Sequence, residues 1–322
     1  MRVLIVGAGA TGTVFGAALL RGGAHVDYYV RPAHRERLAR PLQLNHQGLL
    51  RLVPEQVSGF RVFCSPAELQ GESWDQVWFT TPSDALRGPW LDEFLAAAGK
   101  ATLVVLQPDP EDIAWIRAHG GKDHNIVQGL IQFSAWQSPL PHEPADREGI
   151  TCLVPPVGPA AIFDAEPVES ATIAATLRHG GLRASTRADL PAHAARMSAL
   201  MIPLVAGLEL ADWNLDRYAG HEVLDLALAA AHEAIAAECA RFSTGVPLGM
   251  RGLLNRPMSQ LTLKALPWVP GFNAGEFLHY HFRKVDRQTR QMLGTYRRNA
   301  ERHGLPHTAL DRLLATLPPP TH

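Results

Sequence analysis

The chain has almost no charge excess: 30 Lys and Arg stand against 31 Asp and Glu, a formal net charge of −1. That balance excludes a chain-wide attraction to nucleic acid or to an anionic membrane, so neither partner is expected and any basic site must be local. Cysteine is scarce. Cys64, Cys152 and Cys239 are odd in number and far apart, which excludes a disulfide framework and zinc-ligand spacing and fits a reducing cytoplasm. Long apolar runs are missing too. The first one breaks at Gly7 after four apolar residues, too short for a signal peptide or a membrane span. No internal repeat of fixed period is visible. Metal ligands are not expected either, because His279 and His281 stand two apart and diverge on a helix.

Hydrophobic residues make up 46% of the chain and charged residues 19%, which allows a sizeable core. The 322 residues suit two domains. In the first half, strand-like and helix-like stretches alternate. VLIV (3–6) reads as a buried strand and 11–21 as a helix stopped by Gly22 and Gly23. HVDYYV (25–30), RVFC (61–64), QVWFTT (76–81) and ATLVVLQ (101–107) read as strands, with LDEFLAAAG and PEDIAWIRAHGG as helices among them. NIVQGLIQFSAW (125–136) and GITCLVPP (149–156) suggest later strands of an antiparallel extension, joined by the Pro-rich connection 138–148. The alternation predicts an α/β class with an N-terminal Rossmann doubly wound, mostly parallel sheet.

From about Pro191 the period changes to 3.6. AARMSALMIPLVAGLELADW, HEVLDLALAAAHEAIAAECARF and FRKVDRQTRQMLGTYRRNAERHG predict a C-terminal all-helical domain. The expected division is 1–188 and 189–322. The run MSALMIPLVAGLEL reads as core or as the face of a homodimer, and Pro203 within it predicts a kink. The tail PPPTH is expected to fray.

Gly7, Gly9 and Gly12 form G-x-G-x-x-G between the first strand and the first helix. Dinucleotide binding needs each glycine for a separate reason: a tight turn, room for a pyrophosphate against bare backbone, and close helix–strand packing. The helix start then offers free N–H groups and partial positive charge to the phosphates. Ala8, Ala10 and Thr11 complete the loop, and Thr81 at the end of 76–81 joins the expected cofactor set. NAD sites place a carboxylate at the end of the second strand. Here Val30 is followed by Arg31, with Arg35 and Arg37 close behind. A guanidinium suits a 2′-phosphate, so the predicted cofactor is NADP(H).

Three stretches together resemble the ketopantoate reductase (2-dehydropantoate 2-reductase) family: RVLIVGAGATGTVFGAALLRGGAHVDYYVRP, HEAIAAECARFSTGVPL and RRNAERHGLPHTALDRLL. The last two are helices ending in Gly-Val-Pro and Gly-Leu-Pro turns. The resemblance implies a Rossmann domain, a helical domain, and hydride transfer from NADPH to the ketone of a small 2-oxo acid held between them. It also implies a lysine on the first helix of the second domain to stabilise and protonate the alkoxide.

This chain departs from that pattern. No lysine lies in 185–210; its position falls on Ala194, that of the following asparagine on Ser198, and Ile202 precedes Pro203-Leu204. Pro108-Asp109 replaces Asn-Gly after the fifth strand, and Pro82 replaces the lysine after the fourth. The polar candidates are His193, Arg196 and Ser198. Ser259 matches a family serine that binds the substrate carboxylate, and the substrate-binding glutamate falls on Lys284 or Gln288. Arg283, Arg287 and Arg290 follow i, i+4, i+7 spacing, which would place an anion-binding face on the last long helix. Arg196, Ser198 and Lys284 are therefore the catalytic candidates, and Ser259, Arg283 and Arg287 the substrate-binding ones. Two alternatives stay open: an NADP-binding sensor or partner protein that has lost catalysis, and an opine-type dehydrogenase whose pocket is enlarged by Trp268 and Phe272.

Overall fold

The structure, a computed structural model, describes residues 1–48, 51–141, 143–144, 147–268 and 272–320. Residues 269–271 of ALPWVPGF and the last two of PPPTH lie outside the described residues. The chain divides into two compact units, Met1–Pro191 and Ala192–His322.

The first unit carries twelve strands and four α-helices among its described residues. They are β1 (Arg2–Val6), α1 (Ala10–Arg21), β2 (His25–Tyr29), β3 (Leu42–Gln47), β4 (Leu52–Val57), β5 (Arg61–Phe63), β6 (Gln76–Phe79), α2 (Trp90–Ala98), β7 (Thr102–Val105), α3 (Asp112–Ile116), β8 (Ile126–Ile131), β9 (Ser134–Ser138), β10 (Gly149–Leu153), β11 (Ala161–Asp164), α4 (Glu169–His179) and β12 (Ala184–Arg187). The main sheet runs β12-β11-β8-β7-β6-β1-β2-β5. From β5 to β8 every pair is parallel, β11 runs antiparallel to β8, and β12 is parallel to β11. The order β5-β2-β1-β6-β7-β8 is the doubly wound Rossmann order. β6 and β7 are buried at every residue, as expected of central strands with helices on both faces.

A second sheet, β4-β3-β10-β9, is built from two distant stretches. The apolar run 125–136 therefore splits: β8 pairs parallel with β7, while β9 pairs antiparallel with β10 in the small sheet. β10, the second expected late strand, also belongs to the small sheet and pairs parallel with β3. The expected antiparallel extension of the main sheet is made instead by β11.

Helix α1 is locked at its C-terminal end. Arg21 Nε donates to the Gly180 carbonyl at 2.7 Å. A Cβ on Gly180 would lie 1.8 Å from the Ala18 carbonyl oxygen, so α1 and the turn after α4 touch backbone to backbone.

The second unit is helical throughout its described residues. α5 (Leu190–Leu210), which begins just before it, continues through Pro203, and α6 (Leu215–Gly220), α7 (Val223–Arg241), α8 (Leu248–Leu253), α9 (Arg256–Ala265), α10 (Ala274–Lys284), α11 (Asp286–Arg302) and α12 (Thr308–Thr316) follow. Its core gathers Tyr218, Leu224, Met292, Leu293, Tyr296 and Leu310. Polar brackets join the helices. Glu238 is fully buried on α7 and accepts from Asn299 Nδ2 at 2.8 Å. Arg290 on α11 donates to both carboxylate oxygens of Glu209 on α5, at 2.6 and 3.3 Å. No helix among the described residues is long and apolar enough to cross a membrane.

Candidate cofactor site

The glycine turn leaves β1 and enters α1. Gly7 has φ +102°, in the left-handed region that a side chain disfavours. Its N–H donates to the Tyr29 carbonyl, tying the turn to the end of β2. A Cβ on Gly12 would sit 2.1 Å from the Gly7 carbonyl oxygen and 2.8 Å from Thr80 Oγ1. Only glycine lets the helix approach the strand this closely. Gly9 is different: its Cβ would meet nothing within 4 Å, so that position opens onto free space.

Gly9 is also the residue before α1, and no side chain caps the first turn, which contains no acid. The first amides of the helix therefore face outward without a side-chain acceptor. Thr80 Oγ1 bonds the Val6 and Gly7 carbonyls at 2.9 Å each, fixing the turn to the end of β6. Next to it, Thr81 Oγ1 is buried with no hydrogen-bond partner among the described residues. Bare amides, an open glycine, a cradle that a Cβ would fill and an orphaned hydroxyl all fit a dinucleotide pyrophosphate. The structure thus brings Gly7, Ala8, Gly9, Ala10, Thr11, Gly12 and Thr81 together.

The three arginines after β2 have separate fates. Arg31 is exposed and its guanidinium lies 3.1 Å from His34 Nε2. Arg35 is held by Glu68 at 2.6 Å and by Cys64 Sγ at 3.2 Å. Arg37 donates to the Ala8 carbonyl at 2.8 Å, inside the glycine turn.

The loops after β6 and β7 carry a buried polar network that the sequence reading did not single out. Asp109 and Asp112 have side chains 0% and 1% exposed, and Arg87 faces both, at 3.8 and 2.9 Å. Ser83 Oγ donates to Asp112 Oδ2 at 2.7 Å, and the Asp109 backbone N–H donates to the same oxygen at 3.1 Å. Arg87 also lies over the Trp115 ring, 4.8 Å from its centroid. Burial, with Asp109 close by, pushes the Asp112 carboxyl up to about 7 against the opposing pull of Ser83 and Arg87. Alongside, Gln107 Nε2 donates to the Thr81 carbonyl at 2.7 Å and links the two strand ends. The available signal was the pairing of PSDALR with PDPED just after two buried strands.

In the helical unit the candidates are dispersed over four helices. Arg196 and Ser198 are buried on α5, with Arg196 donating to Thr244 Oγ1 at 3.3 Å. Ser259 is half-buried on α9, while Lys284 is exposed at the end of α10. The shared arginine face is corrected by the structure. Val285, at φ −119° and ψ 29°, interrupts the helix, so Arg283 lies in the last turn of α10 and Arg287 in the first turn of α11. Arg290 is spent on Glu209 and on the Pro318 carbonyl. His279 stacks on Trp213 and His281 on Phe277.

No family model and no curated protein matches the chain. Solved structures do. A PanE/ApbA family ketopantoate reductase from Ralstonia eutropha JMP134 aligns at 18% identity and TM-score 0.72, over 98% of this chain and 96% of that one. A 2-dehydropantoate 2-reductase from Methylococcus capsulatus aligns at 16% and 0.73, over 98% and 95%. The fold is that of the ketopantoate reductases. D-mandelate dehydrogenase, solved with NADH, shares it at 16% identity and TM-score 0.68, over 98% of this chain and 97% of that one.

Proposed function

We propose that the chain is a divergent member of the ketopantoate reductase family and acts as an NADP(H)-dependent oxidoreductase on a small 2-oxo acid or related polar carbonyl. The observation that carries this reading is the glycine turn, with its uncapped amides, its open Gly9 and the close approach at Gly12. In this reading Gly7–Gly12 holds the pyrophosphate, Thr81 bonds the cofactor, and Arg31 faces the 2′-phosphate. The solved relatives of the same fold support the reaction class: their names are those of 2-oxo acid reductases and a 2-hydroxy acid dehydrogenase.

The bound nicotinamide would supply the hydride, which adds to the carbonyl carbon while the carbonyl oxygen takes a proton. Arg196 stays charged, so it stabilises an oxyanion without giving up a proton. Ser198 can hydrogen-bond the developing alkoxide. The Lys284 ammonium can both stabilise that oxygen and protonate it. Ser259, with Arg283 or Arg287, would take the substrate carboxylate. The expected NADP-binding domain is 1–188, with 189–322 binding substrate and forming a homodimer in the cytoplasm.

A second reading rests on Ala194, the buried alanine where the resemblance expects lysine: the chain binds NADP(H) as a sensor and turns nothing over. Titration with NADPH and NADH, followed by NADPH oxidation against a panel of 2-oxo acids, separates the two. Binding with turnover supports the enzyme. Binding alone supports the sensor, and no binding at concentrations on the order of millimolar refutes both. Pairing each oxo acid with an amine tests the opine-type alternative. That alternative needs Trp268 to line a pocket, whereas the residue is 84% exposed.

A further inference from the structure

Three guanidiniums leave the chain within eight residues of the end of β2, and the structure divides them by what they already hold. Arg35 is consumed, with Glu68 matching its charge and Cys64 taking its Nε–H. Arg31 meets only the His34 ring among the described residues. Arg37 is exposed and has no carboxylate within ion-pair distance among the described residues; its one polar contact there is the Ala8 carbonyl at 2.8 Å. That carbonyl belongs to the turn between Gly7 and Gly9.

A guanidinium offers five N–H donors, and the Ala8 bond uses one. The contact anchors the Arg37 side chain against the glycine turn while leaving its charge uncompensated. A long, flexible cation is thus restrained beside a phosphate-shaped cradle before any anion arrives, which lowers the ordering cost of binding one. The direction of approach narrows which phosphate it serves. The amides of α1 are the turn's own pyrophosphate donors. Arg37 instead comes from the segment following β2, the same segment as Arg31 and the side on which a Rossmann site reads the adenosine ribose.

We propose that Arg37 is a specificity-determining ligand of the cofactor 2′-phosphate, acting as the second guanidinium beside Arg31. This rests on the NADP(H) reading above. Two guanidiniums around one phosphate provide fork-like, charge-assisted donors from two sides, whereas NADH offers that position only a hydroxyl.

The test measures dissociation constants for NADPH and NADH with the full chain, wild type and three variants. Arg37→Gln keeps an amide donor for the turn and removes the charge. It should weaken NADPH about 10–100-fold, the loss expected for a charged hydrogen bond, and leave NADH within about threefold. Arg37→Lys should recover part of the NADPH affinity. Arg35→Ala, which breaks the Glu68 and Cys64 contacts and none in the glycine turn, should leave the NADPH-to-NADH preference unchanged. Equal losses for both dinucleotides in Arg37→Gln would make Arg37 a brace of the turn and overturn the assignment. Unchanged NADPH affinity would overturn it too. Wild-type protein that takes up neither dinucleotide would remove the underlying reading along with this one, an outcome distinct from either.

Discussion

Asp112 should make the protein less stable as the solution becomes more alkaline. Its carboxyl is fully buried, shares one guanidinium with Asp109, and is pushed up to about 7 from an ordinary value of 3.8. The folded chain therefore keeps a proton that the unfolded chain has already released. By linkage, stability falls as pH rises from 3.8 towards about 7 and then levels off. Between about pH 5.5 and about pH 8.5, this one group should lower the unfolding free energy by about 2 kcal/mol, at 1.36 kcal/mol per pKa unit. Other groups titrate in the same interval, so the comparison must be internal. Asp112→Asn cannot ionise, and it retains an oxygen for Arg87 and an amide for Ser83. Urea unfolding of wild type and variant at the two pH values, followed by tryptophan fluorescence, gives the difference directly. The wild type should lose about 2 kcal/mol more than the variant on going alkaline. Equal pH dependence in both proteins would show that folded Asp112 keeps no extra proton and would refute the reasoning.

Two further substitutions probe other parts of the molecule. Gly12→Ala places a methyl 2.1 Å from the Gly7 carbonyl oxygen, so it should cost about 1–3 kcal/mol by overpacking and also abolish dinucleotide binding. Gly9→Ala, with nothing within 4 Å of the new atom, should leave the thermal midpoint in place and reduce binding alone; an unchanged midpoint in Gly12→Ala would contradict the close-packing argument. Arg290→Met strands Glu209, whose side chain is 14% exposed. The expected loss is about 2–3 kcal/mol in urea unfolding, with part of it regained in Glu209→Gln/Arg290→Met.

The sequence was most readable where structure is decided locally. The turn at Gly7, the start of α1 and the strands β1, β2, β6 and β7 follow from short-range needs of backbone and burial. The small sheet was harder. β4 reads LVPEQV, with a proline and a glutamate that an edge strand tolerates, and β3 reads LQLNHQ. Neither has the apolar run of a central strand. β11, α4 and β12 passed unread for a related reason: β12 is four residues, ASTR, at the sheet edge. Within 125–136, apolar character showed that strands form there but not which partner each would choose. The break at Val285 separates two helices that continuous spacing had joined. The Asp109–Asp112 network arises only when two loops meet, and the Arg37 contact spans 29 residues of chain, so both became visible only in three dimensions.

The contact between Gly180 and α1 has a thermodynamic corollary. Because the far end of that rod is wedged against the turn after α4, its leading amides are aimed in the empty protein as they would be in the complex. Calorimetry should then record dinucleotide uptake with only a small entropic penalty from the polypeptide; hydrogen exchange at the locked end of the rod should already be slow without ligand, while its uncapped leading amides should become protected only on binding.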